Sequence, residues 1–165
     1  MINIMLSTSV IILISSCFSN TTRLNNPEMK TKKDVFEEVE GYCVVCAQGT
    51  ISLQAATQLL IGVVDTLSPF QINISDFSPN FKQAIVLKAM DSEFVKSIEF
   101  ELKHEISLEQ VPQHFGQYHA APLMPGRDQD FLFYPEQFQN TPCKITLICR
   151  VNNGKIRSIV IRPDC

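Results

Sequence analysis

The sequence predicts an α+β fold: an N-terminal helical hairpin packed on an antiparallel β-sheet that ends in a β-hairpin. Three observations predict it. Apolar residues recur at helical spacing from Phe36 to Leu67, interrupted at Gly49. Ile98, Phe100 and Leu102 alternate with Glu99, Glu101 and Lys103, the two-residue period of a half-buried strand. Near the C-terminus, Asn152-Asn153-Gly154 separates two runs rich in β-branched residues, and Asn-Gly tolerates the positive φ angles of a two-residue hairpin turn.

Thr31 followed by Asp34 is a helix-start signal, and Asp34, Glu37, Glu38 and Glu40 favour a first turn by complementing the helix dipole. Phe36, Val39, Cys43 and Cys46 or Ala47 share one face, and Gly49 is a natural stop. Thr50 or Ser52 starts a second helix, whose stripe is Leu53, Ala56, Leu60, Val63, Val64 and Leu67 and which Ser68-Pro69 ends. Two helices joined by so short a turn form a hairpin whose apolar faces need a sheet. Strands are expected at 84–87, 98–102, 131–134, 144–151 and 155–161. With Asn153-Gly154 as the loop, Val151 faces Ile156, Cys149 faces Ser158 and Leu147 faces Val160. The opposite face then carries Thr146, Ile148, Ile159 and Ile161, with Arg150 and Arg157 paired near the tip. Between strands, Ser107 and Gln110 form a capping box and Gly116 a stop. Pro112 removes a helical hydrogen bond there, which two successive short turns, the second starting at Pro112, would relieve.

The amino terminus is different in kind. Residues 1–22 hold no charged residue and no histidine. The apolar run Val10-Ile11-Ile12-Leu13-Ile14, followed by Ser15-Ser16-Cys17, reads as a secretory signal. Ile14-Ser15-Ser16-Cys17 resembles the lipobox of bacterial lipoproteins, and that resemblance implies lipidation of Cys17, which becomes the mature N-terminus. It implies a signal peptide at 1–16, a lipidated cysteine with a flexible tether at 17–33, and a single α+β domain at 34–165. The location is then the bacterial cell envelope, lipid-anchored and facing the periplasm. A plain signal cleaved after Ser19, giving a soluble secreted protein, fits the same residues, as does an uncleaved anchor or buried helix.

Further along, a short helix ending in Phe115-Gly116, an aromatic strand and a terminal hairpin with a Gly turn resemble the C-terminal half of SmpA/OmlA-type small outer-membrane lipoproteins. Those proteins share a helix-pair-plus-sheet design with β-lactamase-inhibitor-like domains. The resemblance spans about 107–163. It lacks the family's Gly-Met before the helix and has Gln117 where a Pro usually follows the Gly. It implies the architecture and the lipoprotein setting.

Composition narrows the chemistry. At 45% hydrophobic and 19% charged, with a net charge of -3, the chain is neither disordered nor a polybasic nucleic-acid binder. No stretch reaches the roughly 18 unbroken apolar residues of a transmembrane helix, which excludes a multi-pass membrane protein. Cys43-Val44-Val45-Cys46 has the spacing of a redox dithiol or of half a zinc site, but no second half follows. It also falls near a helix end, whereas a helix start is what lowers thiol pKa. In an exported chain structural disulfides are the simpler use, with Cys43, Cys46, Cys143, Cys149 and Cys165 as candidates. Cys143 and Cys149 lie about 20 Å apart on one strand and cannot bridge each other, so any bridge is long-range: from Cys43 or Cys46 to the hairpin, or from Cys165 to either region.

The three histidines, His104, His114 and His119, do not share a helical face, so no metal pair is expected. No nucleophile-elbow, zinc-protease or phosphate-loop motif is present, and no cofactor is expected. Lys144, Arg150, Lys155, Arg157 and Arg162 make the terminal hairpin basic, opposite an acidic first helix. Arg150, Lys155, Arg157 and Arg162 are thus candidate partner-binding residues for an acidic protein or an anionic envelope polymer, or simply a solvated face. Loop 117–129, with Met124-Pro125-Gly126-Arg127, is a contact loop or a polar connector. These features suit a non-enzymatic, lipid-anchored protein-binding module of the cell envelope. The alternative is an exported immunity protein or inhibitor that neutralises a cognate toxin or enzyme; a third reading is a thiol oxidoreductase using Cys43 and Cys46.

Overall fold

The Asp34 carboxylate accepts the Phe36 N–H at 2.8 Å and caps helix α1 (Val35–Ala47). The computed structural model describes residues 34–165 apart from Asp91, so the signal segment, Cys17 and the tether lie outside the described residues. Phe36, Val39, Cys43, Cys46 and Ala47 bury one face of α1, as the 3.6-residue period requires. Ser52 then caps α2 (Leu53–Leu59), accepting the Ala55 N–H at 3.1 Å.

The expected second helix does not run to Leu67. It stops at Leu59, and Val63–Leu67 is strand β1. Val63, Val64 and Thr66 are β-branched and favour extended backbone. Gly62 lies so close to the Ser75 carbonyl oxygen, Ile74 and Phe77 that a side chain would collide with them. Val63 and Val64 are 55% and 48% exposed, so their spacing marked an edge strand, not a buried stripe.

Seven more strands follow: β2 (Gln71–Ser75), β3 (Phe81–Lys88), β4 (Val95–Ser107), β5 (Tyr118–Ala120), β6 (Gln129–Phe133), β7 (Lys144–Asn152) and β8 (Lys155–Asp164). They form one sheet in the order β1-β2-β3-β4-β8-β7-β6-β5, antiparallel at every pairing. The fold is therefore α+β with strand dominant; β1, β2 and β5 were not expected. The register of β1 on β2 shifts between Val64 and Thr66, leaving Asp65 as an extra residue on the sheet's outermost strand.

The last two strands meet at a turn with positive φ at Asn153 and Gly154, and Val151 pairs with Ile156 as expected. Beyond that the expected register fails. Arg150 pairs with Ser158, Cys149 with Ile159 and Leu147 with Ile161, because Arg157 is an extra, unpaired residue. The physical reason is burial. The simple register would turn Ser158 and Val160 toward the core; the bulge turns in Ile159 and Ile161 instead, exposed 1% and 0%. Ser158 moves to the other face, where its hydroxyl donates to Glu99 at 2.8 Å.

Helix α1 lies on β7, β8 and the 3-10 turn Glu136–Phe138. Its Tyr42 ring stacks on Phe100 at 4.9 Å, and Phe100 meets Phe81 at 4.9 Å. The core is thus the layer between α1 and the face carrying Ile98, Phe100, Leu147, Ile159 and Ile161. Glu38, read from sequence as part of an acidic surface, is instead a structural acceptor. It takes hydrogen bonds from Ser78 Oγ and Asn80 Nδ2, both at 2.9 Å, and from the Tyr42 hydroxyl at 3.2 Å. Burial first, then the Glu38 charge, pushes the Tyr42 phenol pKa upward. At 107–116 the Ser107 side chain caps nothing. A 3-10 turn (Leu108–Gln110) is followed by α3 (Pro112–Phe115), with Pro112 at its first turn, where a missing N–H costs least.

Candidate functional site

A cleft of about 620 Å³ opens where α3, the start of β5, the end of β6 and the 3-10 turn after it converge. Local structure explains each wall. Val111 and Phe115 are buried and fix α3 to the core, which leaves Gln113 and His114 exposed. The His114 ring lies against Phe36 of α1 at 4.6 Å, tilted by 31°. His119 on β5 and Tyr134, just past β6, approach at 5.8 Å between ring centroids. Glu136 and Gln137 come from the 3-10 turn, and the Gln137 amide donates to Glu40 on α1 at 3.4 Å. Gly116 and Gln117 complete the rim. The cleft joins two rings, a phenol, a carboxylate and several amides.

Sequence reasoning weighed the histidines as a metal pair or as the partner of a nucleophilic cysteine, and gave Tyr134, Glu136, Gln113 and Gln137 no site role. The cleft is assembled from two stretches of sequence, 112–119 and 134–137, so no local pattern announces it. Among the described residues no group of three or more His, Cys, Asp or Glu side chains is arranged to hold a metal ion.

Of the long-range bridges open to the sequence, the one from Cys165 to the hairpin region is formed. Cys143 and Cys165 are joined, with Cα atoms 4.2 Å apart. Cys43, Cys46 and Cys149, counted as bridge candidates, are free and buried. Their positions explain this: all three belong to the inward faces of α1 and β7 and pack as small apolar groups. Burial pushes the Cys46 and Cys149 thiols up to about 12. Cys43 is raised well above the ordinary thiol range by burial, then by Cys46 and Glu40. A thiol held protonated and out of solvent is a poor nucleophile. The three histidines are exposed, whereas these thiols are buried.

Two cations of the basic hairpin have carboxylate partners within the domain. Arg150 is ion-paired with Glu99 at 2.5 Å and lies 3.8 Å from Asp130; Arg162 pairs with Asp164, on the same strand, at 3.2 Å. Arg150 meets carboxylates that β4 and β6 bring to it, while Arg162 is paired by a carboxylate of its own strand. Lys155 and Arg157 are exposed; Arg157 is the bulged residue and lines a second cleft with Lys82, Glu101 and Glu105.

In loop 121–128, Leu123 and Met124 are 70% and 58% exposed. The loop's base is tied by Ala121 N–H donating to the Asp130 carbonyl at 2.9 Å and by the Gln129 amide donating to the Ala121 carbonyl. Arg127 N–H donates to the Met124 carbonyl at 3.2 Å and closes its tip. Comparison of the chain with protein-family profiles, with curated proteins and with solved structures returns no match.

Proposed function

We propose that this chain is a non-enzymatic, lipid-anchored protein-binding module of the bacterial cell envelope, attached through Cys17 and facing the periplasm. The observation that carries the reading is the pinned loop that turns Leu123 and Met124 outward. Exposed aliphatic side chains on a loop already ordered by its own hydrogen bonds are a contact surface with little ordering entropy left to lose. The loop follows β5, and Tyr118 of that strand is 42% exposed, adding an aromatic of the kind that anchors interfaces. The lipobox-like Ile14-Ser15-Ser16-Cys17 supports the anchor, and the Cys143–Cys165 bridge suits an oxidising compartment. Burial of Cys43 and Cys46 weighs against the thiol oxidoreductase reading. The resemblance of the C-terminal third to SmpA/OmlA-type lipoproteins agrees with the same setting.

Two measurements test it. The wild-type chain is expected in the membrane fraction and a Cys17→Ala chain in the soluble fraction; unchanged partitioning removes the anchor. A photo-crosslinker at position 124 is expected to give a discrete adduct in intact cells that Leu123→Asp abolishes. Labelling that is diffuse, or unaltered by Leu123→Asp, removes the binding surface.

A further inference from the structure

We propose that the cleft between α3 and the β5–β6 edge binds a neutral oligosaccharide. The first observation is unspent hydrogen-bonding capacity. Gln113, His114, Gln117, His119, Tyr134 and Glu136 all line the cleft, and no polar atom of these side chains has a hydrogen-bond or ion-pair partner within the described protein. Amides, imidazoles and a phenol both donate and accept, which matches hydroxyl groups that do the same.

Charge narrows the ligand. Histidines aside, Glu136 is the one charged side chain of the lining, and neither Lys nor Arg is among the lining residues. A phosphorylated or sulfated ligand would meet a carboxylate with no guanidinium or ammonium to offset it. A strongly cationic ligand would find a single carboxylate. A neutral polyhydroxylated ligand is penalised by neither.

Shape points the same way. Tyr134 is 43% exposed and stands beside His119, so the wall offers an aromatic surface with polar groups at its margin. Such a surface covers the C–H face of a sugar ring while its hydroxyls reach the amides. An extended peptide would instead seek pockets for alternate apolar side chains. Here the apolar lining is Phe115 and Pro112, and Phe115 is buried. At about 620 Å³ the cleft lies within the size range of small-ligand sites. Two walls are held in advance, His114 by Phe36 and Gln137 by Glu40, which reduces the ordering cost of binding.

The test is a titration of the isotope-labelled full chain, followed by amide chemical shifts, with chitotriose and with maltotriose as separate neutral probes. At least one is expected to shift residues 113–119 and 134–137 with a Kd of about 1 mM, a common strength for an open site. Tyr134→Ala is expected to weaken that binding by about tenfold or more, the loss of roughly 1.4 kcal/mol, with an unaltered melting temperature because the side chain is exposed. Leu123→Ser, outside the cleft, is expected to bind as the wild type does. A heparin-derived disaccharide is expected to leave the cleft unshifted. The proposal is overturned if neither neutral probe shifts these residues, if Tyr134→Ala binds equally well, or if the anionic sugar shifts the cleft more than the neutral ones.

Discussion

Cutting the Cys143–Cys165 bridge is expected to lower stability by limiting the unfolded chain less, with the folded domain almost unchanged. The bridge joins the residue before β7 to the residue after β8, a sequence separation of 22. Chain-entropy loss for a loop of that size is about 11 cal/mol/K, or about 3.4 kcal/mol near room temperature. Unfolding entropy of ~2.1 cal/mol/K per residue over about 130 ordered residues is ~0.28 kcal/mol/K, so the melting temperature should fall by about 12 °C. The assay is calorimetry of the oxidised chain, of the same chain with dithiothreitol, and of a Cys143→Ser/Cys165→Ser double variant. Reductant and double substitution should each give the full drop, and reductant should leave the double variant where it is. Hydrogen exchange separates the cause: Cys143 N–H donates to the Ala47 carbonyl at 3.1 Å independently of the sulfurs, so the end of α1 should stay protected in the double variant. A wild-type melt indifferent to reductant, or a double variant that reductant lowers as far, would refute the reasoning.

Two other consequences are open to measurement. Gly62→Ala should cost about 1–3 kcal/mol, because the new Cβ falls against the Ser75 carbonyl oxygen and within 2.8 Å of Ile74 Cγ2 and 2.9 Å of Phe77 Cβ. Urea midpoints of the two proteins check this, and equal midpoints would mean that β1 does not lie so near β2. The buried thiols set an alkaline limit. Cys43, Cys46 and Cys149 have folded pKa values raised above the unfolded thiol, so their stabilisation is complete below about pH 8.5 and is lost as pH climbs toward the folded values. Each should remove about 1.4 kcal/mol per pH unit above about pH 9. Comparing urea midpoints at about pH 8 and pH 10, Cys46→Ala should reduce this pH slope by about a third; an unaltered slope would contradict burial of that thiol.

What the sequence made legible was local. A helix start close to Asp34, the inward face of Phe36, Val39, Cys43 and Cys46, the alternation in β4 and the Asn153-Gly154 turn all depend on neighbours within a few residues. Residues 60–67 misled because their apolar positions fit a helical period, while β-branching and the contact of Gly62 with Ser75 decide for strand. The bulge at Arg157 was invisible for a related reason. It is fixed by which side chains the opposing layer buries, a long-range property that turn chemistry does not carry. The pairing of Arg150 with Glu99, 51 residues away, and the cleft drawn from two distant stretches are likewise products of topology. The string of basic charges was legible, but the carboxylates that pair with Arg150 were not, since they arrive from β4 and β6.

The extra residue Asp65 has a consequence for association. A sheet with two open ends is a template for unlimited growth, each molecule adding its outermost strand to the next. At one end, Asp65 breaks the even spacing of backbone donors and acceptors and puts an exposed carboxylate in the middle of the strand that a newcomer would have to match. At the other end, β5 spans only three residues, too few for a lasting ladder. Val63 and Val64 thus lie on an edge that offers a newcomer no regular ladder to extend.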